Sequence, residues 1–401
     1  MRKFSLLILL ILSFYSLNSY AAVVKRIEIE GLKWTKERFV RRELLIKEGK
    51  EFNPKDLSLS VRNLLNTHLF YRVETSVKED KEGVTVKLRL KEKFPIVPLP
   101  RVRFKDDGSY KAGMEVRHYN LFGMGHKLYT GYVRWYNTDK PSKKVFVNLS
   151  FYRIIYNTAD LSLGAFYQED YESLIKKGKN LGDYKEKSYT FPVSVRLYLD
   201  REKINQITFG LTPYLSFPDK LTSDKHLYYL NLRYTKDYST DMVYYTLGKS
   251  FSIGGSLAAP EISSVFTGKL DLSYLKSIKR GDLKTILYRV FLGTKVGYSG
   301  NGYNVSSPIP GYKSEEVENK RYVAGNFSYR FPVVDKSVFV KPSFWVGDSF
   351  ENTPDDILIS AGVEVTAFWA RLADGIIKFK LFRGLGSKAD TQSYFKLSFR
   401  W

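Results

Sequence analysis

The chain has 401 residues, no cysteine, and 64 basic against 42 acidic side chains, for a net charge of +22. These figures exclude a disulfide-stapled scaffold, and they exclude a helical membrane protein, because the one long apolar run, Phe4 to Leu17, is too short to cross a bilayer. Arg2 and Lys3 precede that run, its core spans Leu6 to Leu12, and Ser19-Tyr20-Ala21 follows as a small-x-small signal. Residues 1–21 therefore read as a secretory signal peptide cleaved after Ala21. An exported chain seldom meets nucleic acid, so none is expected as a partner. The basic excess suits membrane lipid, lipopolysaccharide and acidic polypeptides, or simply a solvated surface.

Residues 22–93 mix two periods. Ile27 and Ile29 alternate with charges and stop at Gly31, which predicts a short strand and a turn. Thr35 is a candidate N-cap for a helix that carries Phe39, Leu44 and Leu45 near one face and closes at Gly49. A second helix starts with Asn53 as cap and Pro54 at its first position, with Leu57, Val61, Leu64 and Leu65 at helical spacing. Two strands turned at Asp80 to Gly83 complete a strand-helix-helix-strand-strand order. The segment holds 18 basic and 12 acidic side chains, or +6. That charge could help docking to anionic headgroups, or only keep the domain soluble.

From residue 94 to 401 no helical pattern survives. Val145, Val147, Leu149 and Phe151 oppose Phe146, Asn148, Ser150 and Tyr152; Ile377, Phe379 and Leu381 oppose Lys378 and Lys380. Sixteen alternating runs, from 97–104 to 392–401, are separated by Gly, Asn, Asp, Lys and Ser. An even number of such strands, with aromatics near their ends, predicts a closed antiparallel transmembrane barrel. Phe395, Leu397, Phe399 and Trp401 share one face of the last strand, which ends on an aromatic. The lysine-rich stretch 172–187 is expected as an external loop.

The first run holds Pro98 and Pro100, with Pro95 just ahead and Val102 after. Residues i and i+2 of a strand direct their N–H groups to the same neighbour, so two successive ladder donors are missing on one side. That predicts weak pairing of this strand with the last one, along a seam formed by Pro98, Pro100, Val102, Phe399 and Trp401. A proline-rich linker before a later-starting barrel is the other reading.

The order of elements in 22–93, with Gly31, Gly49, Phe52, Phe70 and Val73 in place, resembles a POTRA domain. A signal peptide, one POTRA domain and a barrel of about sixteen strands together resemble the BamA and TamA superfamily of outer-membrane assembly and translocation proteins. Asn120-Leu121-Phe122-Gly123-Met124-Gly125 looks like that family's turn after the second barrel strand. Pro310, Gly311, Tyr312 and Lys313 resemble its loop motif. The motif's arginine position is here Pro310, Lys313 is the nearest cation, and Asp348 stands where the resemblance implies its lumen partner. Lysine cannot reproduce a bidentate guanidinium–carboxylate pair, so this loop is either fixed differently or an ordinary surface turn at Pro308 to Gly311.

The resemblance implies an outer-membrane location with the POTRA domain in the periplasm. Unfolded outer-membrane or secreted polypeptides are the implied partners, and accessory periplasmic proteins a further class. It also implies one of two functions: folding and inserting client barrels, or exporting a polypeptide or lipid. Catalysis has little support. His68, His118, His126 and His226 show no metal-ligand spacing, no cofactor motif is present, and Gly248-Lys249-Ser250 falls inside a strand pattern.

Overall fold

Strands that alternate apolar and polar side chains can bury their edges only by closing into a ring, and this chain does so. The computed structural model describes residues 22–104, 110–138, 141–155, 158–176, 179–242, 244–298, 305–312, 317–354, 356–369, 375–386 and 391–399. The leader expected over residues 1–21 lies outside them.

The N-terminal domain comprises β1 (Val24–Glu30), α1 (Glu37–Glu43), α2 (Pro54–Asn66), β2 (Phe70–Asp80) and β3 (Gly83–Glu92). Its sheet order is β1-β3-β2, with β1 parallel and β2 antiparallel to β3. The Asn53 side chain caps α2 by accepting from the Lys55 N–H at 2.9 Å, with Pro54 following. Helix α1 departs from the expectation. Thr35 does not cap it, and the helix ends at Glu43, where Leu44 turns extended (φ −78, ψ 137). Leu44, Leu45 and Ile46 are all buried. A helix would send one of three consecutive side chains to solvent, whereas an extended segment wedged between two elements can bury all three.

The barrel strands are β4 (Ile96–Phe104), β5 (Tyr110–Leu121), β6 (His126–Tyr136), β7 (Lys143–Ile155), β8 (Ala159–Lys176), β9 (Lys179–Thr190), β10 (Val193–Tyr198), β11 (Asn205–Pro218) and β12 (Lys225–Asp237). After the short β13 (Thr240–Asp241) come β14 (Thr246–Ala258), β15 (Thr267–Lys279) and β16 (Thr285–Gly297). A small hairpin, β17 (Val305–Ser306) and β18 (Glu318–Asn319), precedes β19 (Arg321–Val334), β20 (Val338–Phe350), β21 (Leu358–Trp369), β22 (Gly375–Leu385) and β23 (Thr391–Phe399). Strands β9 and β10 pair with different stretches of β8 and β11 and form one interrupted barrel strand. Counted so, and with β13 set aside as part of a turn, sixteen strands close through the β23–β4 pairing. The stretch 172–187, expected as a loop, instead continues the β8–β9 hairpin, with Lys176 opposite Lys179.

Side chains on the outer face are apolar and exposed, among them Val145, Val147, Phe209, Leu211, Leu230, Leu232, Leu292 and Phe344. Polar and charged groups turn to the lumen, as the cross-strand pairs Lys341–Glu364 and Glu364–Lys380 illustrate. In water such an exterior would be an aggregation surface; in a bilayer it is the solvated face.

Candidate functional site

The N-terminal domain seats on one barrel mouth, against the ends of β5, β7, β10 and β12 and the turns that follow them, and one apolar core runs across the junction. Phe39, Val40 and Leu64 of the domain share that core with Val97, Leu99, Tyr119 and Met124 of the barrel. The turn from Asn120 to Gly125 is shaped for this contact. Asn120 donates to the Thr35 hydroxyl at 2.9 Å and accepts from the Gly125 N–H at 2.8 Å, and the Lys36 N–H donates to Gly123 O at 2.9 Å. Gly125 has φ +73, and a Cβ there would lie 2.4 Å from the Phe39 ring. The turn motif therefore serves docking.

Three other turns hold the domain. Arg42 donates to Tyr152 O at 3.3 Å and to Met124 O at 3.2 Å. In the turn before β11, Arg201 donates to the Asp56 carboxylate at 3.1 Å, and the Glu202 carbonyl accepts from Arg62. Asn66 donates to Ser239 O at 3.2 Å and accepts from the Asp241 N–H at 2.9 Å. Beside it His68 meets Asp241 at 2.5 Å. Burial pushes the His68 imidazole below its usual range, against the raising pull of Asp241.

Glu43, at the end of α1, sits at the centre of the junction with 4% exposure. Arg42 lies 3.4 Å away, Arg153 of β7 lies at 3.8 Å, and Lys203 pairs with it directly. Burial alone would raise its carboxyl; the charges of Lys203, Arg153 and Arg42 overcome that and hold it below the ordinary range. The sequence held a signal for this residue, an acid on the stripe that carries Phe39 and Val40, but beyond its neighbour Arg42 its cations come from a separate strand and a separate turn.

The loop after β16 folds into the lumen at the opposite mouth. Ile309 and Tyr312, at 3% and 2% exposure, pack with Val317 against Trp345, Leu358 and Phe382 of the wall. The Tyr312 hydroxyl donates to Ile359 O at 2.6 Å and accepts from the Ile359 N–H at 2.8 Å. Gly311 has φ +89, and a Cβ on it would lie 2.4 Å from Gly384 N. Pro308 to Gly311 is thus no surface turn. Pro310 is half-buried, and Lys313 lies outside the described residues. Asp348 is buried and accepts from the backbone N–H groups of Ser349 at 2.6 Å and Asp356 at 3.4 Å. The described part of the loop is anchored by a tyrosine and two apposed glycines.

At the closing pair of strands, the Tyr119 N–H donates to Pro95 O at 2.8 Å, and the β4–β5 register runs unbroken from Ile96 to Phe104. Odd-numbered residues of β4 therefore bond to β5, and even-numbered ones turn their backbone groups to β23. Pro98 and Pro100 are even-numbered, so both missing donors fall on the seam side. Val102 points outward with Ile96 and Met114, all exposed. Phe399 ends β23, and Trp401 lies outside the described residues. Of the N-terminal motif residues, Phe70 is fully buried, Phe52 and Val73 pack against the core, and Gly31 and Gly49 take φ +89 and +76 at turns. No group of three metal-ligating side chains occurs among the described residues.

Residues 22–93 match the POTRA family model, described as surface antigen variable number repeat. No curated protein matches the sequence. Among solved structures the chain is similar to BamA from Haemophilus ducreyi lacking POTRA domains 1–3, with TM-score 0.52 and 17% identity over 93% of this chain and 83% of that one. It is also similar to CdiB from Escherichia coli (TM-score 0.64, 11% identity, 94% and 75% covered) and to CdiB from Acinetobacter baumannii (0.58, 12%, 94% and 72%). The fold is that of an outer-membrane β-barrel preceded by one POTRA domain. The apolar exterior is that of a membrane-spanning barrel, and the POTRA domain occupies one of its two mouths.

Proposed function

We propose that this protein is an outer-membrane assembly factor that folds and inserts client β-barrel proteins through its POTRA domain and a weak barrel seam. The observation that carries this reading is the direction of the two β4 prolines. Each absent donor removes about 0.5–1.5 kcal/mol of net ladder stability and leaves a β23 carbonyl without its strand partner. In a bilayer core that carbonyl has no water to turn to, so a client strand that supplies N–H groups is a favourable replacement. The POTRA sheet offers a second edge, since β2 pairs with β3 alone among the described strands.

A translocation pore of the two-partner-secretion type is the second reading. The seating of the POTRA domain directly beneath the lumen favours it, because a polypeptide held there already lies at the pore entrance.

Cysteine pairs across the seam separate the two, and the natural chain has no cysteine to interfere. With one cysteine on β4 between 96 and 102 and another on β23 between 393 and 399, scanned by two, the oxidised protein is expected to lose client insertion and regain it on reduction. Full activity with the seam locked would sink the assembly reading and leave the lumen as the route. Pro98→Ala with Pro100→Ala is expected to act in the same direction more weakly, slowing insertion while raising the temperature at which the barrel unfolds on a semi-native gel.

A further inference from the structure

A cavity of about 330 Å³ opens on the lumen side of β15, β16 and β19 to β22, toward the mouth that the POTRA domain occupies. Four cations line it, Arg289, Arg330, Lys341 and Lys378, against one carboxylate, Glu364. That carboxylate is already shared: Lys341 lies 3.1 Å from it, Lys378 at 3.9 Å, and Lys380, beyond the cavity lining, at 3.1 Å. Arg330 is held flat, its guanidinium 3.8 Å from the centre of the Phe339 ring and 5.5 Å from that of Phe368. Thr285 is its direct cross-strand neighbour.

Two hydroxyls complete the wall. Ser277 and Thr285, at 5% and 1% exposure, line the same cavity, and neither hydroxyl oxygen has a hydrogen-bond partner among the described residues. A buried hydroxyl without a partner costs free energy, and two of them beside a positively charged cavity can each donate to an acceptor bound there. We infer that this cavity is a binding site for a phosphate group, either free or carried on a lipid headgroup.

The donor set selects that chemistry. A single carboxylate offers one charge and two oxygens in a plane. Four cations and two hydroxyls suit a tetrahedral oxyanion that has several acceptors and close to two charges. The planar guanidinium of Arg330, braced by its ring, presents paired donors, and Lys341 and Lys378 add point charges from the facing strands. The site lies on the lumen side of the barrel wall, its lining reaches the β12–β14 turn at Ser239, whose carbonyl also accepts from Asn66 of the POTRA domain, and it is independent of which proposed function holds.

Isothermal titration calorimetry on the full chain in a zwitterionic detergent tests this with inorganic phosphate, with a water-soluble short-chain phosphatidic acid, and with acetate as control. Saturable heat is expected with a phosphate compound and none with acetate. Arg330→Gln is expected to weaken binding about tenfold, the equivalent of one charge-assisted hydrogen bond. Thr285→Val keeps the shape and charge of the wall and is expected to weaken it about threefold, a fraction of one neutral hydrogen bond. Heat-modifiable migration on a gel verifies that each variant is a folded barrel. Equal binding of both phosphate compounds assigns the site to the free anion, and preference for the phosphatidic acid assigns it to a headgroup. Absence of heat with both, acetate competing as well as phosphate, or unchanged affinity in the folded variants would overturn the proposal.

Discussion

Glu43→Gln is expected to release the POTRA domain from the barrel mouth. The substitution keeps the size of the side chain and removes its charge, so Arg42, Arg153 and Lys203 are left facing one another around a neutral amide. Removing one partner from a buried ion cluster costs about 3–5 kcal/mol, because the remaining charges stay buried without compensation. The hydrogen bonds at the other turns are individually worth about 1 kcal/mol and are partly solvated, so they do not make up the loss. Limited proteolysis should show the domain cut from the barrel several times faster than in the parent chain, and spin labels on α2 and the β12–β14 turn should report a broadened distance. Unchanged protection would mean that the apolar core around Phe39 and Tyr119 holds the domain unaided.

The same residue fixes a pH dependence. Its carboxyl is lowered in the docked state, so its contribution is complete above the ordinary carboxylate range and is lost as pH falls through the lowered value. The Glu43 contribution in the parent chain is therefore expected to be complete above about pH 5 and to weaken only below about pH 4, while His68, lowered at the same junction, adds a separate loss of docking as pH falls below the ordinary histidine range. In Glu43→Gln the lower of these two steps should be absent.

The second large effect is expected from Gly384→Val. A Cβ at this position would lie 2.4 Å from Gly311 O and 2.9 Å from the Tyr312 ring, and the rigid backbone of the loop cannot yield to it. The loop then gives up its seat against Trp345, Leu358 and Phe382. Burial of side chains such as Ile309, Tyr312 and Val317 contributes about 1.5–3 kcal/mol each, and this is lost while the barrel itself remains closed. Conductance of single channels in a planar bilayer should rise severalfold over the parent chain. Tyr312→Phe, which loses only the hydroxyl bonds to Ile359 and Leu385, should raise the frequency of brief openings without reaching that state. A Gly384→Val barrel with the parent conductance would show that the loop does not obstruct the pore.

These two results bear on function from opposite sides. If opening the lumen leaves client insertion intact and locking the seam abolishes it, the assembly reading gains. The reverse pair of outcomes favours translocation.

Much of the architecture is written along the chain, since the physics that sets it is local. Period-2 alternation places one face of every strand in lipid, and it is visible residue by residue from Val145 to Phe151 and from Ile377 to Leu381. Asn53-Pro54 starts α2 through a side-chain cap three atoms from its own backbone. The missing donors of Pro98 and Pro100 are a covalent property. What local patterning could not supply was the side to which they face, and that came from one register fixed by Tyr119 and Pro95.

Local reasoning failed where distant contacts outweighed propensity. Thr35 has the chemistry of a cap, but its hydroxyl is taken by Asn120, 85 positions away, and α1 starts without it. The stretch 172–187 is charged enough to read as a loop, yet its two arms pair with each other and continue the hairpin, because charge is no obstacle to a strand above the bilayer.

The sequence by itself thus determined the order of elements, the strand count and the absence of two successive ladder donors in β4, all of which follow from side-chain periodicity and backbone chemistry. The tertiary structure alone decided the rest: the Glu43 cluster, the Tyr312 anchor and the cation-lined lumen cavity. Each of these joins residues from different elements, brought together by docking of the POTRA domain, by folding of the loop onto the wall or by the register of neighbouring strands. Cross-strand electrostatics and packing depend on register and shear, and no run of neighbouring residues encodes those quantities.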